Sequence, residues 1–203
     1  MQLPSCWGKE MRTASVIFNQ MTALDFIGIY DPITGLKSMQ IIPEFMWEVC
    51  AFTDEVSDDR GLRFKPRVVA EPLYGYDLVI VPGGFGTRAL QRDAAFIEWL
   101  RSARPAKLKV SVCTGSFLLG AAGFLTGKNA TTHPSAFEKL KPYCARVVDW
   151  RVVDEGEVVT ARSVTSAIDL GLYLVERLAG GEAMARVARQ MDYPYRREAA
   201  GQV

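Results

Sequence analysis

Two short, predominantly apolar runs, each breaking into a turn and then a helix-like segment, constrain this chain most. Asp77 to Val81 (DLVIV) ends in Pro82-Gly83-Gly84, and Lys109 to Val112 ends in Cys113-Thr114 before GSFLLGAAG at Gly115 to Gly123. A strand without polar alternation is buried on both faces, which requires a mostly parallel sheet with helices on either side. The remaining pattern agrees. Thr13 to Asn19 (TASVIFN) and Trp47 to Thr53 (WEVCAFT) read as strands, with a turn and helix over Leu24 to Leu36 between them. Asp54 to Lys65 reads as a small hairpin, Arg67 to Glu71 as an extended piece, and Arg92 to Ser102 has helical spacing. Arg146 to Val153 and Glu157 to Ala161 read as a hairpin turning at Asp154-Glu155-Gly156. Helices over Ser166 to Leu178 and Glu182 to Met191, divided by Gly180-Gly181, close the chain.

Ligands of such sheets bind at the carboxyl ends of the strands. Asp25, Gly84 and Cys113 all fall just past predicted strand ends. Cys113 sits between a strand and a small-residue helix, the pattern of a nucleophile elbow. Helix-start N–H groups there are expected to hold the sulfur as thiolate, below the free thiol pKa of about 8.5. The Thr114 N–H is placed to meet an oxyanion. A buried structural cysteine is the plainer alternative. Asp25 has its own alternative, a helix N-cap.

Composition excludes more than it selects. The chain has 203 residues, 49% apolar and 23% charged, with a formal net charge of +1. That suits one domain with a sizeable core. Its Lys and Arg residues are scattered, which argues against nucleic acid or an anionic membrane surface as a partner. No apolar run approaches the roughly 18 residues of a membrane span, and no signal-peptide core is present, so a cytoplasmic location is expected. Residues 1–10 read as an extension, 11–195 as a single domain and 196–203 as a tail. Cys6, Cys50, Cys113 and Cys144 lack CxxC spacing and His133 is the single histidine, so no metal site is expected. Gly84 to Ala89 matches G-x-G-x-x-A but lies mid-chain behind Pro-Gly-Gly. Gly127-Lys128-Asn129 lacks the other P-loop positions. Neither supports a nucleotide site.

PGGFG at Pro82 to Gly86, SVCTGSFLLGAAGFLTGK at Ser111 to Lys128 and ATTHP at Ala130 to Pro134 resemble the ThiJ/PfpI superfamily, which has a class I glutamine amidotransferase-like fold. LDFIG at Leu24 to Gly28 and VTSAID at Val164 to Asp169 resemble its isocyanide hydratase branch. The resemblance implies a flavodoxin-like three-layer sandwich, usually homodimeric, with Cys113 as nucleophile. Gly84 and Thr114 would supply oxyanion N–H groups, and Asp25 would exchange protons with the cysteine. It also implies a pocket that includes Gly28, Phe85, His133, Val164 and Thr165. A small-molecule substrate and no cofactor follow from the same resemblance.

Apolar and aromatic residues around Tyr30, Ile33 and Phe45 offer a possible dimer face. Ala161-Arg162-Ser163 replaces a glycine-rich run of that branch, and its larger side chains are expected to narrow or polarise the pocket. The late His-x-Glu pair of a glutaminase triad is missing. Isocyanide hydration leads among the implied functions. A glyoxalase, deglycase or amidase activity, and a ligand- or redox-sensing domain using Cys113, remain as alternatives.

Overall fold

A computed structural model of the chain describes residues 11–194 and the backbone of Ala200–Gly201. The expected extension over residues 1–10 lies outside the described residues. So does the expected tail, except for Ala200–Gly201, which forms an edge strand.

The chain opens with strand β1 (Met11–Ile17), helix α1 (Ala23–Ser38) and strand β2 (Phe45–Ala51). Next come β3 (Val56–Ser57) and β4 (Arg63–Phe64), which pair as the antiparallel hairpin expected there, and the short β5 (Val68–Val69). Then follow β6 (Leu78–Val81), α2 (Thr87–Leu90), α3 (Ala94–Arg101), β7 (Leu108–Val112) and α4 (Gly115–Ala121). The latter part holds β8 (Asn129–Ala130), α5 (Phe137–Leu140), β9 (Arg146–Val147), β10 (Val152–Asp154), β11 (Val158–Ala161), α6 (Ser166–Ala179), α7 (Gly181–Gln190) and β12 (Ala200–Gly201).

Eight strands form the central sheet in the order β12-β10-β11-β7-β6-β1-β2-β5. From β11 to β5 every pairing is parallel, and β10 runs antiparallel to β11. The expected strand over Arg146 to Val153 is divided. Arg146–Val147 pairs with β8 in a separate small sheet, and the Val148 N–H completes that ladder on Ala130 O at 2.9 Å. Only Val152–Asp154 is left for the hairpin with β11.

The strands alternate between two cores because both faces are covered. Leu78 and Ile80 of β6, with Val110 and Val112 of β7, pack beneath α1, α6 and α7. Val79 and Val81 face the opposite core, with Phe96, Leu100, Phe117 and Leu118 of α3 and α4. Asp93 caps α3 by accepting the Ala95 and Phe96 N–H groups at 3.0 and 3.1 Å.

Three of the positions singled out in the sequence turn out to serve packing. A Cβ on Gly28 would lie 2.8 Å from Ala167 Cβ, so this glycine lets α1 and α6 approach closely and lies outside the cavity wall. Ile33 and Phe45 are wholly buried in the chain's own core, and Tyr30 accepts a hydrogen bond from Trp47 Nε1 at 2.9 Å. The dimer face expected there is therefore corrected: two of its three residues offer no surface.

The same helix contact yields a stability prediction. Gly171 of α6 packs against the Pro32 ring and the Gly28 carbonyl, which loses its usual helical donor because proline has no N–H. Gly171→Val is expected to destabilise the fold by about 1–3 kcal/mol in urea unfolding, through overpacking at a contact that has no slack.

Candidate active site

Going outward from β1, the chain turns one way to β2 and the other way to β6, so the strand order reverses between β1 and β6. The crevice at the carboxyl ends of such strands is where α/β sheets bind ligands. Three loops meet there. The segment after β1 donates the Thr22 N–H to Gly83 O at 2.9 Å, and the Gly86 N–H returns to Gln20 O at 3.0 Å. The β3–β4 turn joins them by donating the Asp59 N–H to Met21 O at 3.0 Å.

Cys113 forms the sharp turn from β7 into α4 at φ +55°, a left-handed conformation rare for a residue with a side chain. Strain of this kind costs on the order of 1–3 kcal/mol and persists only where neighbours over-determine it. Here the Cys113 N–H donates to Ala161 O at 2.9 Å, extending the β11 ladder. Its carbonyl accepts the Thr132 hydroxyl at 2.9 Å and the Ser116 hydroxyl at 3.2 Å. Gly115 follows because a Cβ there would collide with the Val81 and Pro82 carbonyl oxygens.

Asp25 occupies the first turn of α1 and is fully buried. It is not the helix cap, a position held by Thr22. Its Oδ2 instead accepts the Gly83 N–H at 2.9 Å, and the carboxyl stands across that glycine from the Cys113 side chain. Asp25 Oδ1 is buried without an N–H or O–H donor among the described residues. A Cβ on Gly83 would stand 2.7 Å from Cys113 Cβ and 2.8 Å from Asp25 Oδ2. Only glycine leaves room for acid and thiol to meet.

Burial dominates the electrostatics of the pair. It raises Asp25 to about 7, against the opposing pull of the Gly83 N–H and the Cys113 thiol, with the nearby charge of Asp59 adding to the rise. Burial, then the Asp25 charge, pushes the Cys113 thiol up to about 12, although the Thr114 N–H and side chain favour the thiolate. The expected depressed thiol is thus corrected. At this elbow, desolvation and a neighbouring carboxylate outweigh the helix-start N–H groups. Two anions in one dry crevice are unfavourable, so near neutrality the pair retains a proton.

Cys113 opens on a cavity of about 360 Å³, with Thr22, Asp59, Phe85, Arg88, His133 and Val164 among its lining residues, while Asp25 lies fully buried outside that wall. Cys113, Thr114 and Gly84 reach its wall, as do Phe85, His133 and Val164 from the expected pocket. Thr165 does not; it is exposed at the start of α6. Nor does Arg162, which turns away to pair with Asp149 at 2.8 Å, so Val164 shapes that side instead. The Gly84 N–H donates to Thr114 Oγ1 at 3.0 Å, and Thr87 Oγ1 lies 3.1 Å from the same oxygen. His133 Nδ1 accepts the Ser135 N–H at 3.2 Å, which orients the ring at the cavity edge.

The sequence reading missed Thr22, Asp58, Asp59, Arg60 and Arg88. The first four arrive through backbone bonds between distant loops, and Arg88 had been set aside with the G-x-G-x-x-A motif. No group of three or more His, Cys, Asp or Glu side chains among the described residues could hold a metal ion. Nor is any helix there long and apolar enough to cross a membrane.

Fold and site together define a three-layer α/β protein in which a strained cysteine and a buried carboxyl meet where the strand order reverses. The chain belongs to the DJ-1/PfpI family, whose profile matches residues 12–177. Isonitrile hydratase of Pseudomonas putida is 36% identical over 179 residues, covering 88% of this chain and 76% of that protein. Protein DJ-1alpha of Drosophila melanogaster is 32% identical over 123 residues, 60% of this chain and 57% of that one. Among solved structures, a ThiJ/PfpI family protein from Pseudomonas syringae superposes with a TM-score of 0.82 at 27% identity, covering 94% of this chain and 78% of the other.

Two measurements check the electrostatics. Thiolate absorbance, taken as the difference between the native chain and Cys113→Ala, should place Cys113 well above the free thiol range. Asp25→Asn should lower it, because a negative neighbour is removed. Stability should also respond. A carboxyl raised from 3.8 to about 7 binds its proton more tightly folded than unfolded, so it disfavours folding progressively as pH climbs between those values. Asp25→Asn should therefore match the native chain near pH 4. Above pH 7 it should be more stable, by on the order of 4 kcal/mol at most, in urea titrations across that range.

Proposed function

We propose that this protein is a cysteine-dependent enzyme acting on a small electrophilic carbon, and that the reaction is hydration of an isocyanide to an N-substituted formamide. The observation that carries this reading is the Asp25–Cys113 couple built across Gly83, beside a cavity large enough for a small molecule. The likeness to an isonitrile hydratase supports it.

The pair's retained proton suits this chemistry. The terminal carbon of an isocyanide must receive both the sulfur and a hydrogen. Cys113 Sγ bonds to that carbon while the thiol proton, passed through Asp25, ends on the same carbon, giving a thioimidate R–N=CH–S–Cys113. Water then adds across the C=N bond to give R–NH–CH(OH)–S–Cys113. The C–S bond breaks, sulfur regains a proton and R–NH–CHO leaves. The sum is isocyanide plus water to formamide, with the thiol restored. The Thr114 N–H, already directed at the sulfur, steadies charge on it as the bond forms and breaks. Gly84 was expected to supply an oxyanion N–H beside that of Thr114, but its N–H is engaged by Thr114 Oγ1 and its part is to fix Thr114.

Formamide release from aryl and alkyl isocyanides tests the reading. Cys113→Ala should abolish turnover. Asp25→Asn keeps the Gly83 bond but cannot carry a proton, so kcat should fall by about 10²–10⁴-fold. Turnover of methylglyoxal or simple amides with none of isocyanides would give the protein one of those reactions instead. Silence toward every substrate, with stoichiometric oxidation of Cys113 to sulfinate by peroxide, would make it a sensor.

A further inference from the structure

Asp59 is the one acidic side chain of the cavity wall that neither the elbow nor its own turn employs. Asp58 organises that turn, its Oδ1 accepting the Arg60 N–H at 2.9 Å and the Leu62 N–H at 2.7 Å. Asp59 is thereby delivered to the wall shared with Thr22, Cys113 and Thr114. Its side chain is only 14% exposed, yet its hydrogen bonding is poor. Oδ2 receives a single long bond, 3.5 Å from the Thr22 hydroxyl. Among the described residues Oδ1 is buried with no hydrogen-bond donor, and Arg60 Nε lies 3.8 Å away on a side chain that is 84% exposed. Oδ2, with that single long bond, keeps acceptor capacity for a donor at the cavity wall, such as water.

Asp25 is differently placed. Its Oδ2 is held by Gly83, and the carboxyl stands beside Cys113 across that glycine and outside the cavity wall, so it serves the sulfur. The hydration proposed above needs three proton transfers, from thiol to carbon, from water to nitrogen, and from the new hydroxyl back to sulfur. We propose that Asp59, steadied by Thr22, holds and deprotonates the water that attacks the thioimidate, leaving Asp25 to serve the thiol. This rests on the isocyanide reading. As the water oxygen bonds to carbon, one water proton passes to Asp59 and from it to the nitrogen, where the C=N π pair becomes the N–H bond. The remaining hydroxyl proton travels through Asp25 to sulfur as the C–S bond breaks.

The experiment mixes the full chain with an aryl isocyanide and follows intact protein mass and formamide release together. In Asp59→Asn, an adduct of one isocyanide per chain should form at nearly the native rate. It should then decay at least about 10²-fold more slowly than in the native chain, the size of a lost general base. In Asp25→Asn the adduct itself should form slowly. Rapid adduct formation in Asp59→Asn also shows that the variant is folded around an intact elbow. Native-rate formamide release by Asp59→Asn would overturn the assignment while leaving the hydratase reading in place. So would equal loss of both steps, because Asp59 would then support the whole site. Absence of both adduct and formamide in the native chain would overturn the hydratase reading and this assignment with it.

Discussion

One backbone donor organises the site. The Gly83 N–H, 2.9 Å from Asp25 Oδ2, gives a fully buried carboxyl its one conventional hydrogen bond, and the glycine's missing Cβ opens the gap that Cys113 fills. Without that donor, burial of the acid would be uncompensated on both oxygens. With any other residue at position 83, acid and sulfur would be held apart by a methyl group or larger. Strand β6 delivers Gly83 at the reversal of strand order, so the position of the pair follows from the sheet topology.

The arrangement is costly locally. A positive φ at Cys113 and a carboxyl pushed up to about 7 both work against folding at neutral pH. They are held by parts outside the reacting groups. Thr132 and Ser116 secure the Cys113 carbonyl, β11 secures its N–H, and the two helix-packed cores secure the strands beneath. The three loops at the crevice add cross-links of their own through Gln20, Met21 and Asp59. Strain at the elbow is thus maintained by bonds that reach it from four strands' worth of sequence.

This distribution explains what the sequence could disclose. Continuous apolar runs at Leu78–Val81 and Leu108–Val112 announce strands covered on both faces, and the small residues from Gly115 onward announce a helix pressed against one of them. The positions of Cys113 and Asp25 just past strand ends were legible from local pattern, and the structure sets the two side by side across Gly83. Gly28 was misread because a glycine in a helix has one appearance in sequence whether it meets a ligand or, as here, Ala167 of another helix. Thr165 was misplaced for a related reason: motif neighbours share a segment, but successive side chains at a helix start point in different directions, and Val164 alone faces the cavity. The thiol's direction of shift was also invisible, since helix-start N–H groups are local while desolvation is a property of everything packed around the sulfur.

Asp59 marks the limit most clearly. Between Asp58 and Arg60 it reads as an ordinary polar turn residue, and its turn is indeed built by local bonds to Asp58. Its presence at the cavity depends on the Asp59 N–H reaching Met21 O and on Thr22 reaching its carboxyl, contacts spanning more than thirty residues. Two carboxyls approach one crevice from separate loops and find different environments there. Asp25 Oδ2 holds a backbone donor at 2.9 Å and is fully buried behind the thiol, whereas Asp59 reaches the cavity wall with only a 3.5 Å bond from the Thr22 hydroxyl. In the hydration proposed above, that difference would let one site handle a proton on sulfur and a proton on water without using the same group for both.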